Sequence, residues 1–139
     1  MPADTLFLDS AYVIALAQAT DEHHRKAVEL AWSVETQKVG LVTTRAVLLE
    51  VGGALSKSRM RPDAIRLIDS LQTSARVEIV PLTDEVVARG WGLFRQRTDK
   101  DWSWTDCISF VVMSERKLTG ALTSDLHFEQ AGFTALLRH

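Results

Sequence analysis

Short apolar segments alternate with longer segments of helical periodicity along this chain, and this alternation limits the folds open to it. Segments of strand character lie at residues 5–8, 41–43, 77–80 and 121–123, with a fifth candidate at 133–137. Segments of helical pattern lie between them, starting near Ser10, Thr20, Thr44, Pro62, Thr83, Trp104 and Leu126. Strands that alternate with helices pair in parallel. The pattern therefore predicts an α/β fold in which helices cover both faces of a parallel sheet.

The length and composition are typical of one globular domain. A chain of 139 residues with 46% hydrophobic and 24% charged residues can bury a single core, so we expect one domain over residues 1–139. Its lone Cys107 cannot form an internal disulfide, which favours a reducing compartment, the cytoplasm. No uncharged apolar run reaches the roughly 18 residues of a membrane span. We expect no membrane segment.

Two acidic residues directly follow predicted strands. Asp9 follows the first strand and Asp125 the fourth. Ligands of open parallel sheets bind outside the carboxyl ends of the strands, which is where both carboxylates would lie. Asp is also a favoured helix N-cap after a strand, and for either residue alone the two explanations are equally good.

Two further acids lie within predicted helices. Glu50 interrupts the otherwise apolar or small segment AVLLEVGGAL, where its helical neighbours cannot pair with a carboxylate. It therefore needs a distant partner, or its face opens onto solvent. Asp106 lies three residues after Ser103, so it suits either a capping box or a ligand at the start of the helix.

A shared site for these four carboxylates requires a cation. Converging negative charges would raise one another's pKa, and a bound cation removes that conflict. Oxygen ligands select hard ions such as Mg²⁺ or Mn²⁺, and the absence of clustered His and Cys speaks against zinc. The formal charge of −2 argues against a polyanionic partner, but without the four acids the chain has 16 basic against 14 acidic residues. Such a site suits a phosphate substrate.

Three segments of the chain resemble, in their order and spacing, the PIN-domain ribonucleases, particularly the VapC-like toxins of bacterial toxin–antitoxin pairs. The segments are FLDSAYVIAL, TTRAVLLEVGGAL and WSWTDCISFVVMSERKLTGALTSDLHFEQAGF. The resemblance covers essentially the whole chain. It implies a three-layer sandwich around a central parallel five-stranded sheet, and an acidic Mg²⁺ or Mn²⁺ site that hydrolyses RNA phosphodiester bonds. It also implies a homodimer neutralised by a small antitoxin that covers the active site.

The resemblance also assigns the site residues. Asp9, Glu50, Asp106 and Asp125 match the family's acids by position. It makes Asp9 and Asp106 the surest metal ligands, with Glu50 and Asp125 acting directly or through water. One departure is Ala11, where many relatives have Ser or Asn, so that a hydrogen bond to the site is either missing or supplied by Ser10.

Several neighbouring residues have an expected role that is not catalytic. Three hydroxyl side chains are candidates to orient the acids through hydrogen bonds: Ser10, Thr105 and Ser124. His127 has no soft ligand at metal spacing, so we expect a structural or surface role for it. Trp102 and Trp104 would pack against the core or a partner subunit rather than stack on RNA bases.

Two other functional classes fit part of the pattern. A phosphotransfer protein of the receiver or haloacid-dehalogenase type also places an Asp after the first strand, but the latter needs a second Asp where this chain has Ala11. A non-catalytic PIN-like interaction module would keep the fold and lose acids. Substitution of the acids separates these classes from a nuclease.

Overall fold

A five-stranded sheet, parallel throughout, forms the centre of the protein in the computed structural model, which describes residues 5–139. The first four residues of the expected domain lie outside the described residues. The strands are β1 (Thr5–Leu8), β2 (Gly40–Thr44), β3 (Val77–Val80), β4 (Gly120–Leu122) and β5 (Thr134–Ala135). Their spatial order is β3-β2-β1-β4-β5. The parallel five-stranded sheet expected from the sequence is confirmed.

Seven α-helices connect the strands. They are α1 (Ser10–Ala17), α2 (His24–Thr36), α3 (Arg45–Ala54), α4 (Arg61–Thr73), α5 (Asp84–Gln96), α6 (Trp104–Glu115) and α7 (Leu126–Gln130). Crossovers between parallel strands are right-handed, so α1 to α4, which accompany the steps from β1 to β3, cover one face. The steps from β3 to β5 run in the opposite direction and place α5 to α7 on the other face. This is the three-layer sandwich that the sequence predicts.

The chain changes direction between β1 and β4, which are neighbours in the centre of the sheet. β1 pairs with β2 on one side and with β4 on the other. The connection that follows β1 leads toward β2, and the connection that follows β4 leads away toward β5. A crevice opens at such a switch point because the two connections leave on opposite faces, and ligands of open α/β sheets bind there.

Three hydroxyl side chains determine where helices begin. Thr44 caps α3 by accepting a hydrogen bond from the Val47 N–H, and Thr83 caps α5 in the same way. Ser103 begins α6 with a capping box. Each cap contributes about 1 kcal/mol and determines the register of the helix that follows. The predicted starts of these helices are therefore confirmed.

The hydrophobic core joins the central strands to the helices on both faces. Phe7 and Leu122, on the two central strands, are fully buried, as are Cys107 of α6 and Phe128 of α7. Phe110 packs edge-on against Phe128, with ring centroids 4.9 Å apart. The core thus fixes β1, β4, α6 and α7 relative to one another. These elements carry three of the four candidate acids.

Two elements differ from the sequence prediction by more than one residue at a boundary. The second helix begins at His24 rather than near Thr20, because the Asp21 carboxylate accepts a hydrogen bond from the His23 N–H and holds a turn before the helix. The last strand is limited to Thr134–Ala135 instead of residues 133–137. A 3₁₀ helix follows it, in which the Leu137 N–H bonds to the Thr123 carbonyl.

Among residues 5–139, no helix combines the length and the apolar character needed to cross a membrane.

Candidate metal centre

The four acids predicted from the sequence approach one crevice from four different elements. Asp9 lies between β1 and α1, and Asp125 is the residue before α7. Asp106 is in the first turn of α6, and Glu50 is on α3. Glu50 and Asp106 each raise the pKa of Asp9, and Asp106 and Asp125 raise the pKa of Glu50. The carboxylates are therefore close enough for their charges to interact.

Asp9 is the most buried of the four acids. Its exposed fraction is 5%, and its Oδ2 accepts a hydrogen bond of 2.7 Å from the Thr123 hydroxyl. Its backbone N–H bonds to the Leu122 carbonyl at the end of β4. Asp9 precedes α1 but its side chain makes no capping hydrogen bond, so the explanation that it is only a helix cap is wrong.

Burial raises the pKa of Asp9 to about 7, and the negative charges of Glu50 and Asp106 add to this rise. The hydrogen bonds from the Thr123 hydroxyl and the Ser10 backbone oppose the rise without cancelling it. A carboxylate held in a dry position among like charges is costly unless a positive charge offsets it. The surroundings of Asp9 thus favour a cation.

Glu50 is exposed on α3, which agrees with the expectation that its face of the helix opens onto solvent. Partial burial nevertheless raises its pKa, and the charges of Asp106 and Asp125 raise it further, while a hydrogen bond with the Ser10 side chain opposes the rise. The exposed face of α3 therefore opens toward the other acids. Ser10 lies near enough to lower the pKa of Glu50, and its role in orienting this acid stays a prediction.

Asp106 combines the two roles that the sequence left open. Its Oδ2 accepts a hydrogen bond of 3.1 Å from the Ser103 N–H, and its own N–H donates to the Ser103 hydroxyl, which completes the capping box. The same Oδ2 lies 2.9 Å from His127 Nδ1. The cap thus holds the carboxylate at the crevice.

Asp125 also acts as a helix cap inside the site. Its Oδ1 accepts a hydrogen bond of 2.8 Å from the His127 N–H, and its own N–H donates to the Thr123 hydroxyl. Thr123 therefore bonds to both Asp9 and Asp125. One hydroxyl at the end of β4 joins the two acids that follow the central strands.

Thr123 and His127 are the two site residues that sequence reasoning missed. Thr123 is fully buried at the end of β4, a position that the segment L-T-S-D could have indicated. His127 was assigned a structural or surface role, but its ring contacts Asp106 and lies 3.5 Å from Asp125 Oδ1. Its spacing of two residues after Asp125 was the available signal. Ligand atoms of Asp106, Asp125 and His127 all lie within 4.8 Å of one another, which suits one metal ion.

The remaining candidates lie at the edge of the site or outside it. Thr105 is half-buried and lines a groove together with Glu50. The Ser124 carbonyl accepts a hydrogen bond from Arg138, and the orienting role of the Ser124 hydroxyl stays a prediction. Trp102 packs in the core against Phe110, as expected. Trp104 rests on Trp91 but keeps 42% of its surface exposed.

The fold and the site define a class of protein that comparison with known sequences identifies. The family model of the PIN domain matches residues 6–134, so the chain belongs to the PIN-domain family. The family resemblance carried by the motifs is thus confirmed. PIN nucleases generally use a divalent metal ion, and the cluster of Asp and His side chains could hold one.

Two comparisons indicate the relatives within that family. The chain is 27% identical over 128 residues to the 23S rRNA-specific endonuclease VapC20 of Mycobacterium tuberculosis, covering 92% of this chain and 95% of the relative. The crystal structure of M. tuberculosis VapC20, described as a Sarcin-Ricin loop cleaving toxin, superposes with a TM-score of 0.82 at 24% identity. That superposition covers 93% of this chain and 96% of the other, and it confirms the fold.

Proposed function

We propose that this protein is a metal-dependent endoribonuclease that acts as the toxin of a toxin–antitoxin pair. The expected enzyme class, a ribonuclease that hydrolyses phosphodiester bonds, is confirmed by the PIN-domain match and the likeness to an rRNA endonuclease. The observation that carries the site assignment is the buried Asp9, bonded through Thr123 to the Asp125 loop and surrounded by further acids. We assign residues 1–139 to a single PIN domain.

The metal ion that we propose is Mg²⁺ or Mn²⁺. Asp9, Asp106 and Asp125 would hold it, and Glu50 would bind it directly or through water. The residues fit this role because the buried Asp9 carboxylate and its acidic neighbours lack the positive charge that would stabilise them together. When bound, such an ion activates water and neutralises charge on a phosphate.

The protein's own groups would orient the acids and move a proton. Thr123 fixes the direction of the Asp9 carboxylate, and the Ser103 N–H fixes that of Asp106. Glu50 is exposed and has a raised pKa, two properties of a general base that accepts a proton from attacking water. We propose that its carboxylate has this role when it contacts the ion through water.

RNA and an antitoxin are the partners that toxins of this type imply. We propose that the RNA is bound beside the basic residues of the segment 45–76, which holds six basic and three acidic residues. We also propose that the protein acts in the cytoplasm. We further propose that a small antitoxin protein covers the acidic crevice and blocks it.

A homodimer is also part of the proposal, and an exposed apolar surface supports it. We use the name aromatic patch for Leu49, Leu82, Trp91, Phe94 and Trp104. Leu49 is 63% exposed, and it lines one groove with Leu82 and Trp104. Trp91 stacks on Phe94 at 5.1 Å and contacts Trp104 at 4.8 Å. Contiguous apolar surface of this kind is typical of protein interfaces, and we propose a second copy as its occupant.

Substitution of the acids tests the site assignment. We expect Asp9→Ala and Asp106→Asn to lower the rate of Mg²⁺- or Mn²⁺-dependent RNA cleavage by more than about a hundredfold. Loss of a residue that only hydrogen-bonds to a metal ligand typically has a smaller effect. Asp101→Asn, in an exposed loop, is the matched control and should keep full activity. Circular dichroism checks that each variant is folded. Equal cleavage by wild type and both site variants would overturn the assignment.

Expression with the neighbouring gene tests the biological role. We expect a small protein to co-purify with the chain, to block its RNase activity and to relieve growth arrest caused by the chain alone. Growth arrest that no neighbouring gene product relieves would contradict a toxin–antitoxin pair without contradicting the enzyme activity.

A further inference from the structure

His127 presents a ring nitrogen between two of the acids that we assign to the metal site. Its Nδ1 is 2.9 Å from Asp106 Oδ2 and 3.5 Å from Asp125 Oδ1. Adjacent ligands of an octahedral ion with bonds of about 2.1 Å are about 3 Å apart. The three side chains therefore offer one nitrogen and two carboxylate groups at separations that suit neighbouring positions around one ion.

The backbone around His127 holds the ring in this place. Its N–H donates to Asp125 Oδ1, so the histidine and one of the acids share a local hydrogen bond. The next residue, Phe128, is fully buried and packs against Phe7 and Phe110. The side chain of His127 remains 30% exposed. The ring is thus anchored from the core side and reaches the crevice from its own helix.

We propose that His127 binds the metal ion directly through Nδ1 and that it makes the site prefer Mn²⁺ over Mg²⁺. This inference rests on the proposed function, because the ion is the one assigned to the nuclease site. Mg²⁺ is a hard ion that favours oxygen ligands and gives up its water reluctantly, whereas Mn²⁺, although it also favours oxygen and is the weakest binder among the first-row transition ions, accepts an imidazole nitrogen more readily than Mg²⁺ does. A mixed set of oxygen and nitrogen ligands therefore favours Mn²⁺ more than carboxylates alone would.

A purely positioning role is the competing explanation for His127. In that case Nδ1 would only donate a hydrogen bond to Asp106. The variant His127→Asn separates the two roles, because its side-chain amide can donate the same hydrogen bond but has no imidazole nitrogen. His139→Asn is the matched control. The His139 ring lies 2.6 Å from the Glu129 carboxylate, which is not one of the four acids.

Electron paramagnetic resonance of the full-length, metal-stripped protein with MnCl₂ tests the proposal. Free Mn²⁺ is counted from its signal, with MgCl₂ added as competitor, and electron spin-echo modulation reports a nitrogen bonded to the ion. We expect nitrogen modulation in wild type and His139→Asn and none in His127→Asn. We also expect His127→Asn to weaken Mn²⁺ binding at least about tenfold and Mg²⁺ binding less than about threefold.

The wild-type spectrum alone can overturn the inference. Bound Mn²⁺ without nitrogen modulation would make His127 a positioning residue, and nitrogen modulation that persists in His127→Asn would show that the nitrogen is not that of His127. Neither result would affect the proposed nuclease, which depends on the carboxylates and is tested by RNA cleavage in the Asp9 and Asp106 variants. Failure of the inference is therefore distinguishable from failure of the proposed function.

Discussion

Asp9 shows how a residue that we assign to the metal site can also lower the stability of the metal-free fold. Burial raises its pKa from 3.8 to about 7. Between these values the folded state holds a proton that the unfolded state has lost, so stability falls as pH rises through this range and levels off above it. About three pKa units correspond to up to about 4 kcal/mol at neutral pH.

Replacement of Asp9 by Asn therefore stabilises the metal-free protein at neutral pH. We expect the melting temperature of Asp9→Asn to exceed that of wild type by several degrees at pH 7.5, with a smaller difference at pH 5. Addition of Mn²⁺ should raise the melting temperature of wild type and leave the variant nearly unchanged. Calorimetry across pH measures this, and a difference that is independent of pH would contradict the burial of a charged Asp9.

Thr123 is the second residue-scale test, because its hydroxyl serves Asp9 and Asp125 together. Thr123→Val keeps the shape but leaves both partners unsatisfied. We expect it to lower the free energy of unfolding by about 1–3 kcal/mol and to weaken Mn²⁺ binding about tenfold or more. Thr123→Ser should restore both values. Loss of stability without loss of Mn²⁺ affinity would limit Thr123 to a structural role.

At the scale of elements, the contact between α5 and α6 determines where Asp106 lies. A Cβ added at Gly90 of α5 would lie 2.5 Å from Ile108 Cγ1 and 3.1 Å from the Ile108 backbone nitrogen. Because part of this obstacle is backbone, α5 would have to move away from α6. Gly92, two residues later in the same helix, has open space around its added Cβ.

The pair of glycines gives a prediction with an internal control. Gly90→Ala should lower the free energy of unfolding by about 1–3 kcal/mol, the usual cost of overpacking. Gly92→Ala should raise it by up to about 1 kcal/mol, because Ala favours a helix. Urea unfolding measures both variants. The close packing of α5 on α6 would be contradicted by two variants of equal stability.

Local chemistry explains which elements the sequence could predict. Caps such as Thr44, Thr83 and Ser103 act within one helical turn, so the starts of α3, α5 and α6 were predictable. The length of the last strand was overestimated, because the Leu137 N–H bonds to the Thr123 carbonyl, a partner fourteen residues away that no local pattern reveals. The helix α2 begins later than predicted for a local reason. The Asp21 carboxylate bonds to the His23 N–H in a turn, and this turn takes the place of a cap at a helix start near Thr20.

The whole molecule explains what the sequence could and could not predict about the site. Asp9 and Asp125 were identifiable because parallel strands deliver the residues that follow them to one edge, whereas Glu50 and Asp106 were identified by their positions in helices and by the family resemblance. His127 was missed because its partner Asp106 lies 21 residues away, on a helix that only packing brings near. For the same reason the pKa of Asp9 could not be assigned, since burial by packed elements raises it and Thr123, 114 residues further along the chain, opposes that rise.

The aromatic patch gives a prediction for the assembled molecule. We expect wild type to sediment as a dimer and Leu49→Asp to sediment as a monomer, because a buried charge at the contact is costly. Trp32→Asp is the matched control, since Trp32 is 73% exposed on α2 and lies outside the patch. Analytical ultracentrifugation measures all three. A monomeric wild type, or a dimer that persists in Leu49→Asp, would contradict a dimer through this surface.

The central claim is that the converging carboxylates form a metal site for RNA hydrolysis. Its most direct test is the rate of RNA cleavage by the metal-stripped protein as Mn²⁺ is added, measured in parallel for wild type and Asp106→Asn. We predict no cleavage by stripped wild type, a saturable rise with Mn²⁺, and at least about a hundredfold lower rate in the variant throughout. Cleavage that persists without metal, or equal rates in the two proteins, would contradict the claim.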